Sequence, residues 1–343
     1  MSRSLDKYLL AQLKTEDPGP VYNDLASIFT DLPESGLLEI ELLGQSHPLD
    51  PGVNFLRDGN AVAIPKLRLV QAFFVARQIL RQHLELADAV SASSVLPATA
   101  ILLLMDPEHL AAANTRKRAL LSSGSPTESA LMVEKLFVDT LLTARLHRHT
   151  KSPTLWSHRR WLVTLCRTLG IPCDVRHDLK YVVMVAAERH PRNYVAWQHA
   201  RLLLGDDLSL VATIAFDVKE FCFRNHTDIS CWAFLSDCIA RIPEEKIRAQ
   251  TYSTIVKEVF SMVDTFRWTN ESVWVFLRTV VAREGDYELH WTQFLAINER
   301  CLLAVPHDSP QIDILERARQ WCDEHHTQRD RESDCCPRPS VTP

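Results

Sequence analysis

The densest run of side chains that could bind a metal lies at residues 145–149, where two histidines alternate with basic and apolar residues, and His158 follows nearby. Zinc is usually held by about four converging ligands, often with thiolates or carboxylates among them. His147 and His149 are two residues apart and would point to different faces of a helix. The pattern therefore predicts the polar end of a helix, and we predict no metal site in this chain.

Other motifs of catalysis are missing from the sequence. It contains no Cys-x-x-Cys pair, no glycine-rich phosphate loop and no Gly-x-Ser-x-Gly elbow. We expect no prenyl acceptor box at Cys335 and Cys336, because seven residues follow Cys336 and such a box must end the chain. The nine cysteines are an odd number, and six lie within apolar helical patterns. They indicate buried free thiols rather than a disulfide framework.

The bulk composition favours a large helical core. The chain has 343 residues, of which 46% are hydrophobic and only nine are glycine. Its net charge of −5 gives no sign of a basic face, so we expect no nucleic-acid partner. No apolar run is long enough to span a membrane, so we expect no stable membrane insertion. Residues 1–7 lack the apolar core of a signal peptide, and we expect a cytoplasmic protein.

Four tryptophans recur in one local setting, each a few residues into a predicted helix, at intervals of 41, 35 and 42 residues. A repeat of this length in a helical sequence is typical of a solenoid. We therefore predict an all-α fold, an alpha-alpha superhelix in which helical hairpins stack as a crescent. The tryptophans and the basic residues four positions after three of them are Trp156, Trp197, Trp232, Trp274, Arg160, Arg201 and Arg278.

Residues four apart on a helix share a face, so each arginine should lie beside its tryptophan and help to pack one helix pair against the next. We predict that these residues are structural. Trp232 lacks the basic partner, because Ser236 stands there. A fainter register precedes the others, in which Ala113 replaces the tryptophan and Lys117 keeps the basic position. A degenerate terminal repeat is expected, since it has only one neighbour to pack on.

The breaks between helices predict three regions: an irregular and helical N-terminal cap over residues 1–90, helical repeats over 91–325 and a disordered tail over 326–343. Within the cap, residues 46–60 read as a loop and 66–88 as a long helix. The predicted second helices of the pairs are 128–149, 174–190, 208–225, 246–266 and 286–304. The predicted N-caps are Ser152, with Pro153 at the first helical position, Asn193, Thr227 or Asp228, and Thr269 or Asn270.

Residues 156–162 and 193–201 are more specific than a generic helical repeat. They resemble the repeats of protein prenyltransferase alpha subunits, whose pattern is Asn-Tyr-x-x-Trp-x-x-Arg-Arg with small variations. Two good matches and three weaker ones cover roughly residues 105–300. Residues 106–117 and the opening 151–153 look most like the divergent branch of that family, the alpha subunit repeat-containing proteins.

The resemblance implies a non-catalytic subunit that scaffolds a beta subunit in a heterodimer. In that family the beta subunit carries the zinc ion and the isoprenoid pocket, so no cofactor is expected in this chain and zinc is expected on the partner. The pair would transfer an isoprenoid, with geranylgeranyl as the expected one, to a cysteine of a protein substrate. The chain alone is not expected to be active.

The resemblance also implies three residues near the reaction. Lys151 stands five residues before Trp156, at the place of a lysine that contacts the diphosphate in the conventional enzymes, and an ammonium there would neutralise a leaving group. Asn193 and Tyr194 match the pair that opens the next repeat and would face the substrate or partner. Pro153 and Val195 depart from the conventional pattern.

Two alternatives stay open. Lys151 can be a solvated loop lysine and Asn193 a helix cap. The whole chain can be a helical-repeat interaction scaffold with no transferase role, since a concave solenoid surface holds many kinds of partner.

Overall fold

The computed structural model describes residues 17–30, 36–44, 47, 49–50, 52–85, 92–122, 124–205, 208–283 and 287–335. The prediction of an all-α helical repeat fold is confirmed, with one small sheet added. The chain forms two compact units, Met1–Leu203 and Leu204–Pro343. The region boundaries predicted at residues 90 and 325 stay predictions. Residues 1–16 of the predicted cap and 336–343 of the predicted tail lie outside the described residues.

The first unit contains the sheet and the helices up to the unit boundary. Helix α7 is continuous and includes a π-helical turn in its middle. The elements are α1 (Pro18–Thr30), β1 (Glu39–Leu43), β2 (Leu56–Asp58), β3 (Ala61–Pro65), α2 (Lys66–Glu85), α3 (Ala92–Met105), α4 (Leu110–Leu121), α5 (Glu128–Thr143), α6 (Pro153–Thr168), α7 (Val175–Asp178, the π turn Leu179–Val183 and Met184–Arg189) and α8 (Tyr194–Leu204).

The second unit is helical throughout the part that the structure describes. Its helices follow the predicted alternation of a tryptophan-bearing helix and a second helix. They are α9 (Val211–Arg224), α10 (Ile229–Ala240), α11 (Glu245–Phe266), α12 (Glu271–Arg283), α13 (Tyr287–Ala304) and α14 (Gln311–Cys335).

The small sheet was not predicted, and part of it lies in the segment 46–60 that the sequence assigns to a loop. Its strand order is β1-β3-β2, with β1 parallel and β2 antiparallel to β3. The hairpin between β2 and β3 turns through two residues, of which Gly59 has a φ of +55° that a side chain would disfavour. Val62 and Ile64 alternate inward and are buried. The sequence feature that could have predicted this hairpin is the two-residue Gly-Asn turn before a run of alternating apolar residues.

The sheet is attached to the helices of the first unit at its β1 end. The backbone N–H of Leu38 donates to Thr140 Oγ1 on α5 at 3.4 Å. Arg189, the last residue of α7, places Nη2 3.3 Å from Glu39 Oε1. These contacts join the N-terminal segment to the same helices that carry the first repeats.

The four tryptophans of the repeat have similar surroundings in the structure. The indoles of Trp156, Trp197, Trp232 and Trp274 are buried. In three of them Nε1 donates to the backbone carbonyl six residues earlier, at 2.8–2.9 Å. A buried indole needs a partner for its N–H, and a carbonyl of the preceding break supplies it. Each of these tryptophans therefore fixes the loop that opens its own helix.

The predicted N-caps are confirmed at four helix openings. The side chains of Ser152 and Asn193 accept from backbone N–H groups three residues later, at 3.1 and 3.3 Å. In the second unit, Asp228 caps α10 and Asn270 caps α12, rather than their neighbouring threonines. Several caps also reach the preceding repeat, about 45 residues earlier, so the openings are tied to one another within each unit.

The last helix extends past residue 326, the predicted start of the tail. Helix α14 continues to Cys335. The charged segment after Trp321 is rich in good helix formers, and an i,i+4 bond joins Gln320 to Glu324 at 2.8 Å. The prolines on which the prediction depended begin at Pro337, beyond the end of the helix.

Within the described parts of the chain, the structure contains no helix with the length and apolar character needed to cross a membrane.

Candidate functional site

The openings of α6 and α8 border one cleft of about 450 Å³. The structure thus brings Lys151 together with Asn193 and Tyr194, although about 40 residues separate them in the chain. The cleft is lined by Glu108, Arg148, Lys151, Ser152, Pro153, His190, Arg192, Asn193, Tyr194 and Val195.

Lys151 is held at the cleft by the cap of α6. Ser152 Oγ accepts from the N–H of Leu155 and donates to the carbonyl of Pro107 at 3.0 Å, so the loop is anchored at both sides. Pro153 at the first helical position restricts the backbone further. Lys151 itself is exposed. Its ammonium is therefore presented to solvent from a loop whose backbone is well fixed.

The two residues of the Asn193–Tyr194 pair have different surroundings. Asn193 is buried, and its Nδ2 donates to the carbonyl of Thr150 at 2.7 Å while its Oδ1 accepts from Ala196 N–H. The amide of Asn193 is thus occupied by the cap and the inter-repeat contact, and the expectation that Asn193 faces a substrate or partner stays a prediction. Tyr194 is 70% exposed. Tyr194 is the member of the pair that is free to meet a partner.

The cleft has a positive balance. Arg148, Lys151 and Arg192 are exposed cations, against the single lining carboxylate of Glu108, and Arg148 is also paired with Asp106 at 3.0 Å. Glu108 Oε2 accepts from Thr154 Oγ1 at 2.6 Å. The first N–H groups of α6 and α8 add partial positive charge at the same edge.

His190 shares the cleft but carries no charge at neutral pH. Its pKa is lowered by desolvation first and then by the positive surroundings of His147 and Lys151. The two imidazoles meet edge to face, with ring centroids 4.4 Å apart. The permanent positive charge of the cleft therefore belongs to the lysine and the arginines.

A group of buried and half-buried titratable side chains that the sequence did not predict lies further along the helices that open at the cleft. We call Lys135, Asp139, Arg159, Asp178 and His199 the charge cluster. Arg159 places Nε 2.6 Å from Asp139 and Nη2 2.9 Å from Asp178. Lys135 Nζ lies 2.6 Å from Asp178 and 3.0 Å from Asp139. The cluster joins α5, α6, α7 and α8, so it fixes the two helix openings that form the cleft.

The pKa values in the charge cluster follow from burial and pairing. Burial alone would raise the pKa of Asp139, but the charges of Arg159 and Lys135 outweigh it and lower the pKa. The pKa of His199 is well below its usual value, because burial and the neighbouring Arg159 both oppose a second charge. His199 Nε2 lies 2.7 Å from Arg159 Nη1, which can only donate. His199 is therefore neutral, with its proton on Nδ1.

A second buried ion pair lies one repeat earlier. Arg116 binds Glu134 through two bonds of 2.7 and 2.8 Å, and its guanidinium lies 3.8 Å from the Phe137 ring centroid. Burial alone would raise the pKa of Glu134, but the charge of Arg116 and the hydrogen bond of His158 lower it to about 2. Paired in this way, the carboxylate is ionised at neutral pH despite its burial.

The arginines of the register do not all occupy the places that the sequence predicts. Arg160 is exposed, and the packing contact expected of it is made by its neighbour Arg159. Arg201 donates to the carbonyl of Trp197 on its own helix at 3.3 Å. The guanidinium of Arg278 lies 5.3 Å from the ring centroid of Trp321, on the adjoining helix α14.

The buried arginines stand three positions after the register residue, not four: Arg116 follows Ala113 and Arg159 follows Trp156. Asp139 could have predicted these buried ion pairs from the sequence, because it is a carboxylate inside the largely apolar run 137–142. A charge on a buried helix face requires a partner.

The histidines weighed as metal ligands have separate surroundings. His147 packs against the ring of His190, whereas buried His149 bonds through Nε2 to the carbonyls of Leu103 and Leu104 at 3.1 and 3.0 Å. His158 Nε2 lies 3.2 Å from Glu134 Oε1. In the part of the chain that the structure describes, no group of three or more histidine, cysteine or acidic residues could hold a metal ion.

Known proteins resemble parts of this chain. The model of the ECM9 middle domain family matches residues 155–262. The zebrafish (Danio rerio) protein prenyltransferase alpha subunit repeat-containing protein 1 is 31% identical over 119 residues, which cover 29% of this chain and 26% of that protein. Its Xenopus laevis relative, repeat-containing protein 1-A, is 29% identical over 140 residues, covering 36% and 31%.

These similarities show a distant relationship to the alpha subunit repeat-containing proteins. The matched segment spans about a quarter to a third of the length of these relatives.

Proposed function

We propose that this chain is a non-catalytic alpha-type subunit of a protein prenyltransferase. It would scaffold a beta subunit that transfers an isoprenoid to a cysteine of a protein substrate. We propose that this isoprenoid is geranylgeranyl. The observation that carries the proposal is the cleft at the openings of α6 and α8, where Lys151 and Tyr194 are both exposed. The distant relatives carry the prenyltransferase alpha subunit repeat in their names.

The residues of the cleft suit a role beside a partner's active site. Lys151 is an exposed ammonium on an anchored loop and is flanked by Arg148 and Arg192. Such a group stabilises an anion that develops outside the chain, as a diphosphate leaving group does. Tyr194 offers a large amphipathic side chain of the kind that interfaces favour. In this proposal the zinc ion and the isoprenoid pocket belong to the beta subunit.

The primary test is co-purification of the chain with a prenyltransferase beta subunit, followed by an isoprenoid-transfer assay. The proposal predicts a heterodimer that modifies a protein cysteine, whereas the chain alone has no transfer activity. Failure of every beta subunit to bind at micromolar concentrations would refute it.

The role of Lys151 has a matched control. Lys151→Ala should lower the transfer rate by about 10²-fold or more without loss of the complex, because a donor aimed at developing charge contributes roughly this much. Lys180 is another exposed lysine of the same unit, away from the cleft, and Lys180→Ala should leave transfer unchanged. If Lys151→Ala no longer forms the complex, Lys151 contributes to docking of the beta subunit. If the transfer rate is unchanged, Lys151 is a solvated lysine with no role in the reaction.

The second candidate is an interaction scaffold without a transferase role. It is favoured by Asn193, which matches the prenyltransferase pattern but is fully used as a cap and an inter-repeat contact. In that case the cleft would still bind a partner through Tyr194. Binding of a beta subunit without any transfer would favour this reading.

A further inference from the structure

Four aromatic side chains of the second unit stack where α9 and α11 end and α10 and α12 begin. We call Phe223, His226, Phe266 and Trp268 the aromatic shelf. The Trp268 ring is nearly parallel to that of His226, with centroids 4.5 Å apart, and to that of Phe266, with centroids 6.0 Å apart. Phe223 meets Trp268 edge to face at 6.2 Å. Phe266 is 60% exposed and Trp268 is half-buried, so the shelf is an apolar surface open to solvent.

The tryptophan register holds the backbone of the aromatic shelf in place. The carbonyl of His226 accepts the indole N–H of Trp232 at 2.9 Å. The carbonyl of Trp268 accepts the indole N–H of Trp274 at 2.8 Å. Asn270 Nδ2 donates to His226 Nδ1 at 2.9 Å, which ties the two openings together. Because these residues are already ordered, a partner that binds the shelf causes little further loss of conformational entropy.

The backbone is strained at Arg267, between two members of the shelf. Its φ of +51° lies in the left-handed region that favours glycine, and the reversal there ends α11 between Phe266 and Trp268. In the described part of the chain, the other non-glycine residue with a positive φ is Arg192, which lines the cleft at the openings of α6 and α8. Strained residues are concentrated at functional sites and ligand clamps. The shelf shares this backbone feature with the cleft.

The shelf and the cleft also occupy the same register of the repeat. Tyr194 of the cleft is the first residue of α8 and stands three residues before Trp197. Ile229 is the first residue of α10 and stands three residues before Trp232, and it follows His226 of the shelf by three residues. Both first residues are exposed, Tyr194 by 70% and Ile229 by 41%. The repeat therefore presents a large apolar side chain at the same position in both units.

Arginines outnumber carboxylates around the shelf. Asp264 accepts hydrogen bonds from Arg267, and from Arg300 at 2.9 and 3.0 Å, so two arginines face one carboxylate. Arg224 at the end of α9 is another exposed cation, and Glu271 at the start of α12 is another exposed carboxylate. The cleft has the same positive balance. A protein surface that complements the shelf presents apolar side chains flanked by carboxylates.

We propose that the aromatic shelf and Ile229 form a second docking surface for the beta subunit, in addition to the cleft. This inference rests on the proposed function, because the register and the positive balance that the shelf shares with the cleft assign the same partner to both. Interface cores are enriched in aromatic residues, and tryptophan and arginine are frequent among the residues that dominate binding. Phe266 and Trp268 are the apolar anchors, and the arginines around them pair with carboxylates of the beta subunit.

The test measures the dissociation constant of the full chain for a purified prenyltransferase beta subunit. Phe266→Ala removes the most exposed ring and should weaken binding by about 10-fold or more, as expected for an interface anchor. Phe74→Ala is the matched control, because Phe74 is an exposed phenylalanine of α2, and it should leave binding unchanged. Trp268→Ala should weaken binding by about 30-fold, and Trp268→Phe, which keeps an aromatic ring, should lose less.

The charges around the shelf have a separate readout. Arg224→Glu reverses one exposed charge and should slow association with the beta subunit, more at low salt than at high salt. Circular dichroism of each variant checks that it is folded.

The outcomes separate this inference from the proposed function. If the unchanged chain binds no beta subunit, the proposed function is refuted and this inference with it. If the unchanged chain binds and both Phe266→Ala and Trp268→Ala bind equally well, the inference alone is refuted, because docking then does not use the shelf. Self-association of the chain that Phe266→Ala abolishes, with no change in binding of the beta subunit, would instead assign the shelf to a contact between two copies and would also overturn the inference.

Discussion

The repeats of the two units share the tryptophan register but differ in the residue three positions later. In the first two repeats of the first unit that position holds Arg116 and Arg159, each buried and paired with carboxylates of α5 or α7, whereas the repeat of Trp197 holds buried Ala200. In the second unit it holds Leu235 and Leu277, both fully buried. One repeat geometry is therefore stabilised by buried ion pairs in the first two repeats and by apolar packing in the second unit.

This difference separates the features that all repeats share from those that occur in only some of them. The buried indole and the capped opening occur in both units, so they belong to the repeat itself. The charge cluster includes residues of α6 and α8, the helices whose openings form the cleft and whose positions matter for the proposed function. Buried ion pairs add little net stability compared with apolar packing, but losing one partner is severe. Such pairs hold neighbouring helices in one arrangement.

The largest effect is expected from removal of the central arginine. Arg159→Ala leaves Asp139 and Asp178 buried with Lys135 as their remaining cation, and should lower the free energy of unfolding by about 3–5 kcal/mol. Urea unfolding measures the loss, and hydrogen exchange should place it in the first unit. Arg160→Ala changes the adjacent exposed arginine and should alter stability by less than about 0.5 kcal/mol. Equal losses from the two variants would contradict the account.

The equivalent change in the second unit should act through a cavity. Leu277→Ala removes a fully buried side chain and should lower the free energy of unfolding by about 2–5 kcal/mol. Because this substitution breaks no ion pair, the loss of stability should be the same at pH 7 and pH 5. A loss that varies with pH over this range would show that the second unit also depends on a titrating group near this position.

Mild acid should act on the first unit through its buried histidines. Burial lowers the pKa of His149 to about 4, from the usual value of 6.5. The unfolded chain therefore binds a proton before the folded chain does, and the stabilisation that is complete above pH 6.5 declines as the pH falls toward 4. For His149 alone the loss should reach about 2 kcal/mol at pH 5.

Urea unfolding at pH 7 and pH 5 measures this decline. His149→Gln keeps a donor for the carbonyls of Leu103 and Leu104 but does not titrate, so its stability should fall less between the two pH values. An identical decline in the variant and the unchanged protein would rule out His149 as the source.

The smallest losses of stability are expected from removal of the helix caps, which both units contain. Asn193→Ala and Asn270→Ala each remove a helix cap and a contact with the preceding repeat, and each should lower the free energy of unfolding by about 0.5–2 kcal/mol. Thermal unfolding of the two variants compares them directly. A large loss for one and none for the other would mean that the caps are not a common element of the repeat.

The repeat was predictable from the sequence because its signals are local. A break, a cap and a large aromatic residue lie within seven residues at each opening, for example from Thr150 to Trp156. The charge cluster was not predictable in detail, because Asp139 and Asp178 meet Arg159 only after three helices pack. The choice between Arg159 and Arg160 depends on helix rotation, which two adjacent arginines do not reveal.

Three of the residues that line the cleft were singled out from the sequence. The resemblance pointed to Lys151, Asn193 and Tyr194, and the structure places all three at one site. Arg148 and Arg192 were missed, since they precede the motif and come together only across two loops. The sheet was missed because its strands are three to five residues long in a chain whose composition favours helices.

The central claim is that the cleft at the openings of α6 and α8 meets a prenyltransferase beta subunit. The most direct measurement is the dissociation constant of that complex with Tyr194→Ala and with Tyr181→Ala, since both tyrosines are exposed in the first unit but only Tyr194 lines the cleft. We expect Tyr194→Ala to weaken binding by about 30-fold, as for a hot-spot residue worth about 2 kcal/mol, and Tyr181→Ala to leave binding unchanged. Unchanged binding for Tyr194→Ala, or equal losses for both variants, would contradict it.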